Sequence, residues 1–404
     1  MSSAPAAHAG PDPDEVVRLT QALVRIPSVN RPELGQSERP AAELVAAWMR
    51  ERGWSPRIEA VAEGRPNVVC ALEGDRPGPT LLFEGHTDVV TEGDRAEWQR
   101  DPFGAEIVDG VLWGRGSADM KGGLAAMLCA AAALDAERPW PGRIVLAVLA
   151  DEEGMMLGAK RFVAAGHARG VDAAIVCEPE AGQLCLTQKG AIRARVTAVG
   201  RMAHGAMPDR GVNPLPALAG FVAAAAELER RLTTEVGEHP HLGRPYVTPT
   251  VLRAGDPAQI NVIPGSGTLA LDIRTVPGID HEELIDRLWQ AAAQVGRDTR
   301  TRLELTVIDD RPPTEIGADE PIARAVALAH RDVVGREPEI GGVPGTTDGT
   351  ILWRDAGIPV VVYGPGGKWI AHQANEHVAV DELRRCVEIY RRAARRFLEG
   401  DLGG

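Results

Sequence analysis

The chain has 404 residues, 44% of them apolar, with 44 Lys and Arg against 57 Asp and Glu and a formal charge of −13. That length exceeds one ordinary core and suits two domains. The negative charge excludes nucleic acid and anionic lipid as natural partners and points to a small solute, and no run approaches the ~18 apolar residues a membrane span needs.

The first residues lack the basic start and apolar stretch of a signal peptide, and Cys70, Cys129, Cys177, Cys185 and Cys386 stand singly with no CxxC pair. The expectation is a soluble, cytoplasmic protein with reduced thiols and a frayed start over residues 1–12. Two helices open the chain: Val16, Val17, Leu19, Leu23, Val24 and Ile26 recur at helical spacing between Asp14 and Ser28, and the pattern repeats from Ala41 to Arg52, where Gly53 stops it. Short apolar runs follow at Thr80–Phe83, Ile144–Ala150, Ala173–Cys177 and, much later, Pro359–Tyr363. Such runs predict strands buried on both faces, and the helical stretch Leu124–Leu134 predicts a crossover of a parallel sheet.

The middle of the chain alternates instead. An alternating strand at Ile192–Val199, an Ala-rich helix over 214–232, a short strand at Thr250–Leu252, a second alternating strand at Thr268–Arg274, a helix over 281–296 and a last strand from Arg302 to Ile308 give the order β-α-β-β-α-β. That is the ferredoxin-like split pattern, with a sheet covered on one face. Residues 190–308 are therefore expected to form a domain inserted into an α/β, mostly parallel-sheet domain of residues 1–189 and 309–404, which resumes with a helix at Pro321–Val334.

Each buried run ends in a residue able to ligate a metal. His86-Thr-Asp88 follows the first, Asp151-Glu152-Glu153 the second and Glu178 the third, while His372 lies about ten residues past the last. In an open parallel sheet the carboxyl ends of the strands face one crevice, so these groups should converge there. Asp119, in Gly114-Arg-Gly-Ser-Ala-Asp-Met-Lys-Gly-Gly, stands where a loop becomes the helix near Leu124. Taken singly, each has a bland reading as a hydrogen-bonded surface pair or a solvated helix start. Gathered together, carboxylates repel one another unless a cation is present, and two imidazoles beside them favour a transition metal over calcium or magnesium. Asp119, Glu153 and Glu178 balance most of the charge of two Zn²⁺ and leave room for one hydroxide, and one aspartate can join two ions about 3.5–4 Å apart.

These motifs, with Asp101-Pro-Phe-Gly, Cys177-Glu-Pro and His372-Gln-Ala-Asn-Glu, resemble the M20 metallopeptidase family, nearest the acetylornithine deacetylase and succinyl-diaminopimelate desuccinylase branch. The resemblance runs from about residue 14 to the last helix. It implies a two-zinc hydrolase, with Co²⁺ or Mn²⁺ as substitutes, cleaving the amide of an N-acyl amino acid or amine by attack of a metal-bridging hydroxide. His86 and Glu178 would hold one ion, Glu153 and His372 the other, with Asp119 bridging. Asp88 would fix the His86 tautomer, and Glu152 would act as general base and then acid.

The resemblance also implies a homodimer, in which His204 and Asn261 of the inserted lid and dimerisation domain act in the neighbouring site. His204 would stabilise the oxyanion. Gly205 and Pro214 depart from the family's usual Ser and Ala. Arg274 would grip a substrate carboxylate, period 2 placing it opposite the covered face of Leu269, Leu271 and Ile273. Gly345, Thr346 and Thr347 would line the substrate pocket. His377 is a weaker candidate ligand than His372. A carboxypeptidase or dipeptidase with the same metal chemistry, and a non-catalytic binding protein on this fold, are the alternative readings.

Overall fold

The computed structural model describes residues 12–29, 31–34 and 36–403, so the expected fraying of residues 1–12 falls, up to residue 11, outside the described residues. The chain divides into two compact units: Met1–Leu186 with Ile316–Gly341 and Thr347–Gly404, and Thr187–Glu315 with Gly342–Thr346.

The first unit begins with α1 (Glu15–Val24) and α2 (Arg39–Arg50). Helix α1 stops three residues before Pro27, which disfavours helical geometry at the residue it follows, and Gly53 takes a left-handed φ of 79° after α2. Next come β1 (Arg57–Ala62), β2 (Arg65–Glu73), β3 (Arg76–His86), β4 (Glu106–Val108), β5 (Val111–Trp113), α3 (Lys121–Ala136), β6 (Pro141–Leu149), α4 (Leu157–Ala164), β7 (Ala173–Val176) and β8 (Leu184–Gln188).

The second unit contributes β9 (Gly190–Val199), β10 (Ala203–His204), α5 (Leu215–Val236), β11 (Tyr246–Ala254), β12 (Val262–Ile263), β13 (Ser266–Thr275), α6 (His281–Thr299), β14 (Arg302–Arg311) and β15 (Thr314–Glu315). After α7 (Pro321–Val334) and β16 (Ile340–Val343), the first unit closes with α8 (Gly349–Ala356), β17 (Val360–Val362), β18 (His377–Ala379) and α9 (Val380–Glu399).

The central sheet of the first unit runs β1-β2-β6-β3-β7-β17-β8. Its heart is parallel: β3 pairs with β6 and β7, and β17 with β7. Antiparallel strands extend it on both sides, through the β1–β2 hairpin beside β6 and through β8 beside β17. The four parallel strands are the apolar runs of the sequence, and their carboxyl ends lie side by side. Helix α3 is buried almost throughout, packed within the same apolar core as α1 and α9.

The second unit has its own core. Its four-stranded sheet, ordered β11-β13-β9-β14, is antiparallel throughout, with α5 and α6 packed on one face, as the β-α-β-β-α-β order implies. Thr314 and Glu315 pair with Gln188 and Thr187, so the segments that enter and leave this unit are hydrogen-bonded to each other.

The start of α3 tolerates no side-chain atom at Gly123, where a Cβ would lie 1.9 Å from the Cys177 carbonyl oxygen. Backbone cannot yield as a flexible side chain can. Gly123→Ala should therefore destabilise the protein by at least about 1–3 kcal/mol. Denaturant unfolding measures this; an unchanged midpoint would contradict the packing described.

Candidate metal centre

Histidine 86 is the last residue of β3, Glu152 and Glu153 follow β6, and Glu178 follows β7. Parallel pairing of β3 with β6 and β7 brings these ends together without help from local sequence. Asp119 arrives from the loop before α3, and His372 from the segment between β17 and β18, with a left-handed φ of 65°.

Asp119 is the pivot. Its Oδ1 lies 3.4 Å from His86 Nε2 and its Oδ2 lies 3.3 Å from His372 Nε2, so each oxygen faces a different imidazole. Glu178 Oε1 stands 3.3 Å from His86 Nε2, and Glu153 Oε1 stands 2.9 Å from His372 Nε2. Donor atoms of His86, Asp119 and Glu153 form one group within 4.8 Å of each other, and those of His86, Glu152 and Glu178 form a second. All five residues expected to ligate metal are thus gathered, with Glu152 among them.

The electrostatics call for a cation. Burial, then the charge of Asp119, pushes the Glu178 carboxyl up to about 8, and Glu153 is raised for the same reasons. Glu152 is raised well above the carboxylate range, first by burial. Burial opposes charge on His86, yet Glu178, Asp119 and Asp88 together lift its imidazole well above the ordinary value. Hydrogen bonds to Asp119 and Glu153 lift His372 to about 10. Asp119 alone is held low: burial opposes its charge, but the two histidines outweigh it. His86 Nε2 is buried and has no hydrogen-bond partner although it points at two carboxylates. A donor set of two imidazoles and three carboxylates around an orphaned ring nitrogen fits divalent transition ions.

A surrounding layer fixes these groups. His86 Nδ1 lies 2.9 Å from the Asp88 carbonyl oxygen and 3.4 Å from its carboxylate, so the nearer partner is the main chain. The Asp88 carboxylate instead accepts the Glu152 and Glu153 amides at 3.1 Å each, orienting the turn that carries both. The sequence reading gave Glu376 no role. Its Oε1 accepts the Ala118 and Asp119 amides at 2.9 and 3.0 Å, and its Oε2 accepts Arg115 Nη1 at 2.5 Å. The signal was present in His-Gln-Ala-Asn-Glu and in Gly-Arg-Gly, but only long-range pairing joins the two. Asn375 ties the same segment down, accepting the Gln99 amide and donating to the Glu97 carbonyl. His377 is outside the cluster, in β18 with its ring 4.7 Å from that of Trp113.

Within the second unit, His204 and Asn261 are exposed neighbours on the small β10–β12 ribbon, where the Gly205 amide donates to the Asn261 carbonyl at 2.6 Å. A Cβ at Gly205 would stand 3.0 Å from that carbonyl. Arg274 is half-buried and paired with Asp272 at 2.6 Å, on the face of β13 opposite buried Leu269, Leu271 and Ile273. Gly345 has open space around it, and Thr346 Oγ1 accepts from Arg311 Nη1 at 3.3 Å. Thr347, in the first unit, is buried, and its hydroxyl accepts the Gly349 amide at the start of α8, an inward task that the pocket-lining expectation did not include.

A cluster of this composition at the carboxyl ends of a parallel sheet defines an α/β protein with a candidate metal centre. Residues 82–396 match the model of peptidase family M20/M25/M40, and the chain belongs to that family. It is a hydrolytic enzyme acting on amide bonds. Succinyl-diaminopimelate desuccinylase of Rhodospirillum centenum is 34% identical over 96% of this chain and 98% of its own, and that of Cereibacter sphaeroides is 34% identical over 94% and 98%. Among solved structures, the M20 family metallo-carboxypeptidase Sso-CP2 of Sulfolobus solfataricus superposes with a TM-score of 0.79 at 20% identity, over 96% of this chain and all of that one. YXEP of Bacillus subtilis, a dinuclear metal-binding peptidase, does so at 0.71 and 17%, over 96% and 98%. Among the described residues no helix is long and apolar enough to cross a membrane.

Without a cation, Glu178 and His372 hold protons at pH 7, and ligation requires both to lose them. Metal binding should therefore release protons, and affinity should rise with pH. Titration calorimetry in buffers of different ionisation enthalpy measures the release; a heat independent of buffer would contradict the protonated cluster.

Proposed function

We propose that the chain removes an acyl group from the nitrogen of an N-acyl amino acid or related amine at a two-zinc centre. The observation that carries this reading is Asp119 presenting one oxygen to His86 and the other to His372, with Glu152 beside the His86–Glu178 pair. His86 and Glu178 would hold one ion and Glu153 and His372 the other, with Asp119 shared. Such ions supply Lewis acidity for the carbonyl and make water a nucleophile near neutral pH.

Glu152 receives the proton of the attacking water and returns it to the departing nitrogen. Its burial suits the second half of that task, because a carboxyl raised well above its usual range is a competent acid at neutral pH. The Asp88 carboxylate holds the turn so that Glu152 and Glu153 keep separate roles. From the inserted unit, His204 donates to the developing oxyanion, while Arg274 receives the substrate carboxylate after exchanging its partner Asp272. His204 and Asn261 are exposed beside exposed Met202, Met207 and Ile260, a surface suited to a second copy of the chain. We therefore read the enzyme as a homodimer in which these residues serve the neighbouring centre. Five unpaired, buried thiols support residence in the reducing cytoplasm. The names of the sequence relatives favour a deacylase over a peptidase of the same chemistry.

Glu152→Gln should retain both metals and lose roughly 10²–10⁴-fold in kcat. Metal analysis with steady-state assay on N-acetyl, N-succinyl and N-formyl amino acids beside dipeptides checks this; turnover confined to dipeptides would replace the deacylase reading by the peptidase one. Mixing Glu152→Gln with His204→Ala protein should restore activity that neither shows alone. Absence of recovery, with mixed dimers shown to form, would refute action of His204 across the dimer.

A further inference from the structure

A cavity of about 600 Å³ lies in the first unit between α7, α9 and the segments Ala181–Gln183 and Tyr363–Pro365. It is of the size that holds small ligands. None of the metal-centre residues lines it, but two of its walls continue the segments that bear Glu178 and His372. Those walls are joined, the Ala181 amide donating to the Gly366 carbonyl at 2.8 Å.

The lining is polar and only partly neutralised. Helix α9 carries Arg384, Arg385, Arg391, Arg392, Arg395 and Arg396, and every one except Arg385 is engaged by a carboxylate. Arg385 faces the cavity, as does Arg336 beyond α7, and among the described residues neither forms an ion pair. Glu382, one turn from Arg385, also lines the cavity and has no ion-pair partner among them. Of the other two lining carboxylates, Glu337 is already engaged by Arg331 at 3.0 Å, while Glu339 accepts a hydrogen bond from Gln183 at 3.4 Å and forms no ion pair among the described residues. His330, also in the lining, is 5% exposed, and its Nδ1 lies 2.7 Å from the Tyr363 hydroxyl. Its Nε2 has no protein partner among the described residues. A buried imidazole with one nitrogen lacking a protein partner, two solvent-exposed guanidiniums outside any ion pair and the carboxylates of Glu339 and Glu382 thus line one volume.

We propose that this cavity is a second ligand site, separate from the metal centre, for a free amino acid. Its carboxylate would lie on Arg336 and Arg385 and its ammonium on Glu382, with His330 Nε2 giving or taking one further hydrogen bond. Charged groups of both signs select a zwitterion over a simple anion, because an anion leaves Glu339 and Glu382 facing it and a diamine leaves the two arginines uncompensated. A ligand there touches the segments behind Glu178 and His372, so occupancy is placed to act on the metal centre.

Calorimetry on the metal-loaded full-length protein tests this without any need for turnover, so its result is independent of the deacylase reading. L-Glutamate and L-lysine are the probes, and succinate (a dianion) and cadaverine (a dication) the controls that carry charge of one sign only. At least one amino acid should bind, with affinity about tenfold or more weaker in Arg385→Ala and in Arg336→Ala, and unchanged in His372→Ala. Circular dichroism and basal activity of the two arginine variants should match the parent, as both side chains are exposed and outside the metal centre. The proposal is overturned if no amino acid binds at millimolar concentration, if both arginine variants bind as the parent does, if His372→Ala abolishes binding, or if succinate binds as well as the amino acids.

Discussion

Mutual repulsion among carboxylates at the ends of the parallel strands is the constraint around which this enzyme is built. Buried Glu152 and Glu178 and partly buried Asp119 and Glu153 crowd one another, and the three glutamates are pushed above their usual range by the loss of water and by their neighbours' charge. Such a cluster persists only if protons or cations neutralise it. Two imidazoles facing opposite oxygens of Asp119 make the cluster a candidate for transition-metal cations as well as for protons.

The surrounding structure supports that cluster through backbone as much as through side chains. Asp88 and Glu376 lie wholly inside the protein, and each accepts two consecutive amides and so fixes a turn that presents the candidate ligands. Behind Glu152, Asp151 takes a left-handed φ of 68° and its carboxylate accepts the Met155 amide at 3.0 Å. Arg65 is paired with Asp151 and stands 3.8 Å from Glu38, which in turn accepts from the Thr87 hydroxyl at 2.9 Å. These contacts are non-local, and together they give the candidate ligands few alternative positions.

Legibility in the sequence followed the physical range of each signal. The parallel core was readable because Leu81–Phe83, Ile144–Leu149, Ala173–Val176 and Val360–Val362 are buried on both faces and so carry unbroken apolar runs. The β1–β2 hairpin was not read, since β1 is partly exposed on both faces and offers no periodic pattern. Strand β13 was readable in register because its buried positions alternate strictly. The partnership of Arg274 with Asp272 was not anticipated, because a strand pattern assigns faces but not the rotamers that let two residues on one face meet.

The sequence alone therefore determined the alternation of elements, the donor-type residues at the strand ends and the family, all of which are properties of local pattern and residue chemistry. Tertiary structure decided which oxygen of Asp119 meets which histidine, that the nearest partner of His86 Nδ1 is the Asp88 carbonyl, that Glu376 clamps the Asp119 loop, and that Arg385, which forms no ion pair among the described residues, lines one cavity with His330. Those are distances between groups far apart along the chain. They depend on strand pairing and rotamer packing, which no local stretch of residues encodes.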